Sequence, residues 1–307
     1  MKVLVTGGAG FIGSNIVDLL IDNRYKVTVV DNLSTGKKEN LNPRAKFYKI
    51  DIRSSNLKKV FKRERPDYVL HQAAQTQVRK SILNPVYDSR ININGSLNLL
   101  ECCKKYNIEK IIYASSGGAV YGEPRYLPVD ENHTINPISP YGVSKYMVES
   151  YLYTYNKLFG LDYIILRYSN VYGPRQDPYG EAGVIAIFIG KFLNKKRPMI
   201  FGDGNQTRDF VYVEDVAMAN FLALKKNTKD KIFNIGTGKG YSVNEITRKI
   251  KGILDSEIKP IYDSPIKGEV RDICLNIKLS KKELGWKPQI DMDTGLKNTM
   301  KWFSKNV

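Results

Sequence analysis

Lys2-Val3-Leu4-Val5-Thr6-Gly7-Gly8-Ala9-Gly10-Phe11-Ile12-Gly13-Ser14 decides the fold of this 307-residue chain. A short β-branched run ends in a glycine cluster, and a helix-forming stretch follows at once. Glycine there permits a tight turn, close approach of backbone to a pyrophosphate, and packing of helix on strand; the helix N-terminus then faces the phosphates with its partial positive charge. Gly7, Gly10 and Gly13, with Phe11 and Ile12 between them, are the residues expected at such a group. A lone glycine pattern is weak. This one is followed, about twenty residues on, by Asp31 at the end of the next apolar run, where a carboxylate can accept from adenosine ribose hydroxyls and would repel a 2′-phosphate. The spacing therefore predicts NAD rather than NADP.

Outward from this unit, Lys2–Thr6, Lys26–Val30, Lys46–Ile50, Tyr68–His71, Lys110–Ser115 and Tyr163–Arg167 read as buried strands. Helical patterns lie between them at 11–23, 55–64, 81–106 and 140–159. Alternation of this kind predicts an α/β fold, a doubly wound parallel sheet with helices on both faces. After Arg167 the rhythm changes to Gly, Pro and Asp, as in Gly173-Pro174 and Gly202-Asp203-Gly204, which predicts a smaller substrate lobe. Short strands near 210–213 and 232–235 are expected to return to the first domain. The expected division is 1–168, with a returning segment at about 209–234, for the dinucleotide, and 169–208 with 235–307 for a discontinuous C-terminal lobe. Asp51 and Ile52 after the third strand, Gln72, Ala73 and Ala74 after the fourth, and Asn92, on one helix face with Asn98, fall in the same cleft.

The bulk properties exclude more than they assign. No export signal is expected before the first strand, and the longest apolar run, Val184–Ile189, is too short to span a bilayer. Three cysteines make no disulfide framework, and two histidines make a zinc site or a Ser-His-Asp triad improbable. The chain is expected to be soluble and cytoplasmic, without metal. Its 48 Lys+Arg against 31 Asp+Glu, net +17, raise a nucleic-acid reading. The lysines are scattered in short pairs, however, and a positive field also attracts dianionic nucleotides.

Chemistry is carried by Ser139-Pro140-Tyr141-Gly142-Val143-Ser144-Lys145. Ser139 suits an N-cap and Pro140 the first helical position, so Tyr141 and Lys145, four apart, share a helix face. A free phenol has a pKa near ~10, about three units too high for a base at neutral pH. One cation at ~4 Å and an effective dielectric of ~20 contributes about 4 kcal/mol, so Lys145 together with a positive nicotinamide ring is expected to bring the phenolate into range. Ser116, closing the fifth strand, is the hydroxyl placed to share the reacting proton.

With these pieces in place, the chain resembles the UDP-glucose 4-epimerase branch of the extended short-chain dehydrogenase/reductase family, whose fold is of the Rossmann kind. The resemblance rests on the opening glycine motif, Asp31-Asn32-Leu33-Ser34-Thr35-Gly36, Val120-Tyr121-Gly122, the Tyr141/Lys145 pair, Arg167-Tyr168-Ser169-Asn170-Val171-Tyr172-Gly173-Pro174, Gly202-Asp203-Gly204-Asn205-Gln206-Thr207-Arg208-Asp209-Phe210, Asn234-Ile235-Gly236-Thr237-Gly238 and Leu284-Gly285-Trp286. It implies that Tyr141 removes a 4-hydroxyl proton while hydride passes to NAD, that a 4-keto sugar turns in the site, and that the hydride returns on its other face. It implies cofactor contacts from Asn32, Ser34, Thr35, Gly36 and Tyr168 as well. It assigns Gln75, Ser116, Asn170, Gly183, Val184, Arg208 and Arg271 to a UDP-sugar, and implies a homodimer. Two departures stand out. Gly117 occupies the usual Ser/Thr position, which leaves Ser116 as the nearest hydroxyl. Ile266 replaces a phosphate arginine, which leaves Lys267 or Arg271 to substitute. Ile273, where the family borders the sugar's 2-substituent, leaves plain hexose and N-acetylhexosamine both open. Related 4,6-dehydratases carry an Asp-Glu pair before Val-Tyr-Gly, and UDP-glucuronate decarboxylases a Glu. Here Gly118-Ala119 has no acid-base capacity. A non-catalytic nucleic-acid-binding protein on the same fold is the alternative from another class.

Overall fold

The computed structural model describes residues 1–179, 183–265 and 270–306. In its first half the chain runs β1 (Lys2–Thr6), α1 (Phe11–Asp22), β2 (Lys26–Asp31), β3 (Lys46–Lys49), α2 (Leu57–Glu64), β4 (Tyr68–His71), α3 (Val78–Leu83), α4 (Pro85–Ser89), α5 (Gly95–Lys105), β5 (Lys110–Ser116), α6 (Pro140–Phe159) and β6 (Asp162–Tyr168). It continues with β7 (Asn170–Tyr172), α7 (Val184–Leu193), β8 (Met199–Phe201), β9 (Thr207–Tyr212), α8 (Val213–Lys225), β10 (Ile232–Ile235), β11 (Gly240–Ser242), α9 (Val243–Leu254), β12 (Ile261–Asp263), β13 (Asp272–Ile273) and α10 (Met292–Asn306).

A seven-stranded sheet has the order β10-β6-β5-β4-β1-β2-β3, with every neighbouring pair parallel. This is the doubly wound Rossmann sheet. Its strands are buried on both faces, which is why they read as unbroken Val/Ile runs rather than alternating ones. One face packs Val3, Val5, Ile112 and Ile164 against Ile16 and Leu20 of α1 and Val216 and Ala219 of α8. The other packs Leu4, Val69 and Ile111 against Phe61 of α2, Leu99 of α5 and Val148 of α6. A separate apolar cluster, with Ile185, Phe188, Phe210, Ile246, Leu296 and Phe303, holds α7, α9 and α10 on the second sheet.

Two expectations are corrected. The segment 81–106 is not one helix. It breaks at Asn84-Pro85, where Asn84 caps α4 by accepting from Tyr87 N, and passes through a π-helical turn at Arg90–Asn94. Proline cannot donate within a helix and restrains the residue before it, so the break follows from Pro85. Of the two strands expected to return, only β10 joins the main sheet; β9 pairs with β7, β11 and β13 in the second. The return is made by α8, whose apolar face packs on α1, and by β10. Among the described residues no helix is long and apolar enough to cross a membrane, and no cluster of ligating side chains could hold a metal.

Candidate active site

Strand order reverses between β1 and β4, so their carboxyl ends border a crevice, the usual ligand position in open α/β sheets. Gly7 turns there with φ +70°, and a Cβ on it would sit 2.7 Å from Ala73 N; a Cβ on Gly13 would sit 2.1 Å from Gly7 O. Side chains would therefore fill this cradle. Gly10 begins α1 without any side-chain cap, which leaves the first amides of the helix, including those of Phe11 and Ile12, open to an anion. The Asp31 carboxylate accepts from Ala9 N (3.0 Å) and Leu33 N (2.8 Å), tying the glycine loop to the end of β2. Gly36 lies against it, its Cβ position 2.9 Å from Asp31 Oδ1. An uncapped helix start, a glycine cradle and an acid after β2 fit a dinucleotide.

Other expected cofactor residues are arranged less directly. Asn32, Ser34 and Thr35 are exposed on the rim. Asp51 is gripped by Arg53, whose Nε and Nη2 donate at 2.8 Å each, and it also accepts from Asn32; this pairing holds the carboxyl well below the usual range. Ile52 is buried under Gly95, and its carbonyl accepts from Asn98. Gln72 and Tyr168 share hydrogen bonds with the buried Asn220, and Ala73 N donates to Thr6 Oγ1, with Ala74 next in the loop. Asn92 and Gln75, given to cofactor and substrate from sequence, bind each other. Asn92 Oδ1 accepts from Gln75 N (2.8 Å), and its Nδ2 donates to Gln75 O, Asp88 Oδ1 and Ser144 Oγ.

At the end of β5, Ser139 caps α6 by accepting from Gly142 N (3.2 Å), and Tyr141, Lys145 and Glu149 share one face of that helix. The Lys145 ammonium donates to Ala114 O at 2.8 Å and lies 5.9 Å from the centre of the Tyr141 ring. The Ser116 hydroxyl acts on the Tyr141 phenol to lower it. Burial pushes the phenol up to about 12, against the Ser116 hydroxyl, which acts downward. Burial also pulls Lys145 down to about 8. In the protein by itself, loss of hydration outweighs the Ser116 contribution at Tyr141.

Toward the second lobe, the Cβ position of Gly118 lies 3.7 Å from Asn170 Oδ1 and 3.9 Å from Ser116 Oγ, so both side chains border Gly118. Gly183 opens α7 without a side-chain cap, and Val184 follows it. Arg208 Nη1 donates to the carbonyls of Thr207 (2.9 Å) and Arg271 (2.8 Å), while Arg271 reaches Asp203 at 3.2 Å. The two arginines form their own group on the second sheet. Ile266 and Lys267 lie outside the described residues. Ile273 is buried against Val120, Tyr121 and Leu275. A Cβ on Gly117 would meet Leu275 Cδ1 at 2.6 Å, so a side chain there requires Leu275 to shift.

Sequence reasoning missed several residues of this neighbourhood. Glu149 accepts twice from Arg167 (2.6 and 3.1 Å) and also from Ser115. Its position four after Lys145 was a usable signal. Ser81 Oγ accepts from Tyr141 N (3.1 Å), and Asp88 lies buried below. Both come from the segment read as one continuous helix, which hid them.

Fold and site together define an extended short-chain dehydrogenase/reductase. The chain belongs to the NAD dependent epimerase/dehydratase family, whose profile matches residues 3–236, and NAD is the dinucleotide that the cradle fits. A protein of Methanocaldococcus jannaschii is 59% identical over 304 residues, 99% of each chain. The UDP-glucose 4-epimerase of Thermotoga maritima, solved with UDP-glucose, is 50% identical with a TM-score of 0.97 over 99% of both chains. The UDP-N-acetylglucosamine 4-epimerase of Methanobrevibacter ruminantium, in complex with UDP-N-acetylmuramic acid, is 40% identical with a TM-score of 0.94, covering 100% of this chain and 99% of its own.

Proposed function

We propose that this protein inverts C4 of a UDP-hexose, interconverting UDP-glucose and UDP-galactose or their N-acetyl counterparts, through a transient 4-keto sugar. The observation that carries the reading is the part-buried Tyr141 with the buried Lys145 ammonium 5.9 Å from its ring centre and Ser116 acting on the phenol, beside Gly118 and Ala119 where dehydration or decarboxylation needs an acid. Bound NAD supplies a hydride acceptor that can return what it takes. Tyr141 takes the proton of the 4-hydroxyl and gives it back, Ser116 holds that oxygen in line, and Lys145 places positive charge near the phenolate as it forms. Asn170 contacts the diphosphate, Gly183 and Val184 border the base, and Arg208 with Arg271 holds the pyrophosphate, as arginine forks suit. Residues 1–168 with α8 and β10 form the cofactor domain, and the remaining segments form the sugar-nucleotide lobe.

The reading extends to a homodimer. Leu83 (85% exposed) and Val86 (59%) lie on α3 and α4, which pack on α6 with its exposed Val143, Tyr146 and Met147, and a hollow of ≈ 520 Å³ is lined by Pro85, Asp88, Ile93, Ile138 and Val143. Exposed apolar side chains on helices that pack together favour self-association. The buried, unpaired cysteines fit a reducing cytoplasm.

Incubation with UDP-glucose, UDP-galactose, UDP-N-acetylglucosamine and UDP-N-acetylgalactosamine, with the products read by proton NMR, tests the reaction. C4 epimers are expected from at least one pair. A 4-keto-6-deoxy product, or no turnover by protein carrying NAD, would sink the reading. Light scattering after Leu83→Asp tests the dimer: the wild type should run at twice the monomer mass and the variant at once.

A further inference from the structure

His71 closes β4 at the border of the crevice, is 2% exposed, and has both ring nitrogens engaged. Nδ1 lies 2.8 Å from Thr6 Oγ1, on the residue before the first cradle glycine, and Nε2 lies 2.8 Å from Ser96 Oγ on α5. The inventory of protons fixes the direction of each bond. A serine hydroxyl has one proton, and Ser96 donates it to Asn92 O. Toward the ring Ser96 can therefore only accept, so Nε2 carries the hydrogen. Nδ1 then keeps its lone pair and accepts from Thr6, whose oxygen accepts in turn from Ala73 N (3.3 Å). The ring is neutral: burial first, and the Lys145 ammonium second, pull its pKa down to about 3.

Each end of this line reaches a working part of the site. On one side, the parallel register of β1 and β4 pairs Thr6 with His71, and Ala73 N stands 2.7 Å from where a Cβ on Gly7 would sit. The groups that hold Nδ1 are thus walls of the dinucleotide cradle. On the other side, Asn92 Nδ2 donates to Ser144 Oγ (3.1 Å), and Ser144 Oγ donates to Tyr141 O (2.9 Å). Thr6, His71, Ser96, Asn92 and Ser144 are each 2% exposed or less, so water does not replace a link that is lost.

We propose that His71 is a positioning residue of this site: held as its Nε2–H tautomer, it joins the dinucleotide cradle, through Thr6 and Ala73, to the helix that carries Tyr141, through Ser96, Asn92 and Ser144. The kinetic consequence rests on the epimerase reading; the tautomer does not. Hydride and proton leave neighbouring atoms of one sugar carbinol, so the groups that receive them, held on different elements, must keep their spacing. The ring touches neither reacting atom and acts only through that spacing. Cutting the link should therefore slow turnover without loosening the hold on the sugar.

Proton–nitrogen correlation spectra of histidine-labelled holoenzyme at pH 7 read the tautomer, with His133→Phe for assignment. His133 donates from Nδ1 to Thr134 O (2.7 Å) and accepts at Nε2 from Arg125 N (3.0 Å). The two histidines of the chain should therefore show opposite tautomers, His71 being protonated at Nε2. Ser96→Ala should move the His71 proton to Nδ1, because the Thr6 hydroxyl can accept it there and Nε2 has lost its acceptor. Thr6→Val keeps the shape and removes the hydroxyl. It should lower kcat for UDP-glucose and UDP-galactose by about tenfold or more with KM within about twofold, and Thr6→Ser should restore kcat. A wild-type His71 proton on Nδ1, or on both nitrogens, overturns the proposal. So does a Thr6→Val enzyme that matches wild type or changes in KM alone, or a Thr6→Ser enzyme no better than Thr6→Val. If Thr6→Val does not fold, Ser96→Ala must show the same split between kcat and KM. Should the wild type turn over no UDP-hexose, the epimerase reading fails, while the ring spectra of wild type and Ser96→Ala still decide the link.

Discussion

Ser115 donates to the buried Glu149 carboxylate, while Ser116, the next residue at the end of β5, acts on the Tyr141 phenol from the other side of the strand. Side chains alternate along a strand, so two adjacent serines cannot both face the cleft. Ser116→Ala should lower kcat by about 10²-fold, the low end for a lost proton-sharing group, and leave KM nearly unchanged. Ser115→Ala should instead lower thermal stability with a smaller effect on kcat. Steady-state kinetics and melting curves of the two variants separate the roles.

Tyr141→Phe should abolish turnover while NAD and UDP-sugar binding persist. The lost group is a proton carrier, and the ring that packs beside Lys145 remains. Calorimetric titration alongside the kinetic assay checks this, and measurable turnover in the variant would remove the tyrosine from its role.

The Lys145 ammonium carries a stability cost. Its pKa is lowered from 10.5 to about 8, so the folded state binds its proton more weakly than the unfolded chain does. The penalty is complete below pH 8 and fades as pH rises toward 10.5. Lys145→Met should therefore melt a few degrees higher than wild type at pH 7, with the difference shrinking by pH 10. Calorimetry at both pH values reads the sign directly.

Gly117→Ser should not restore the hydroxyl usual at this position. Its Cβ would meet Leu275 Cδ1, and overpacking of that kind costs about 1–3 kcal/mol. Adding Leu275→Ala should recover part of the loss and couple non-additively with Gly117→Ser, since the two sites touch. Urea denaturation of the two single variants and the double variant closes the cycle.

Asp31→Ala should weaken NAD binding by about tenfold or more and narrow the preference over NADP. The carboxylate both repels a 2′-phosphate and holds Ala9 N and Leu33 N. Dissociation constants for the two cofactors test this, and an unchanged ratio would place selectivity elsewhere.

Local signals carried most of the cofactor half. The glycine run, Asp31 and the Val/Ile strands each act over a few residues, and parallel strands buried on both faces leave an unmistakable apolar record. The Tyr141/Lys145 spacing was likewise visible because it is one turn of one helix. Arg53 on Asp51, Glu149 on Arg167 and Ser81 beneath Tyr141 were not, since each partner's role depends on where another segment comes to rest.

From the order of its residues alone, this chain determined a doubly wound sheet, a dinucleotide crevice at its head and a phenol one helical turn from an amine. Those features are built from backbone geometry and periodicity, which neighbours in sequence dictate. Only the folded structure decided which serine faces the phenol, how closely Leu275 crowds residue 117, that β9 stays in the second sheet, and that burial raises the phenol and lowers the amine. Each of these depends on packing and dehydration between segments far apart in the chain, and no local pattern records how much water such contacts remove.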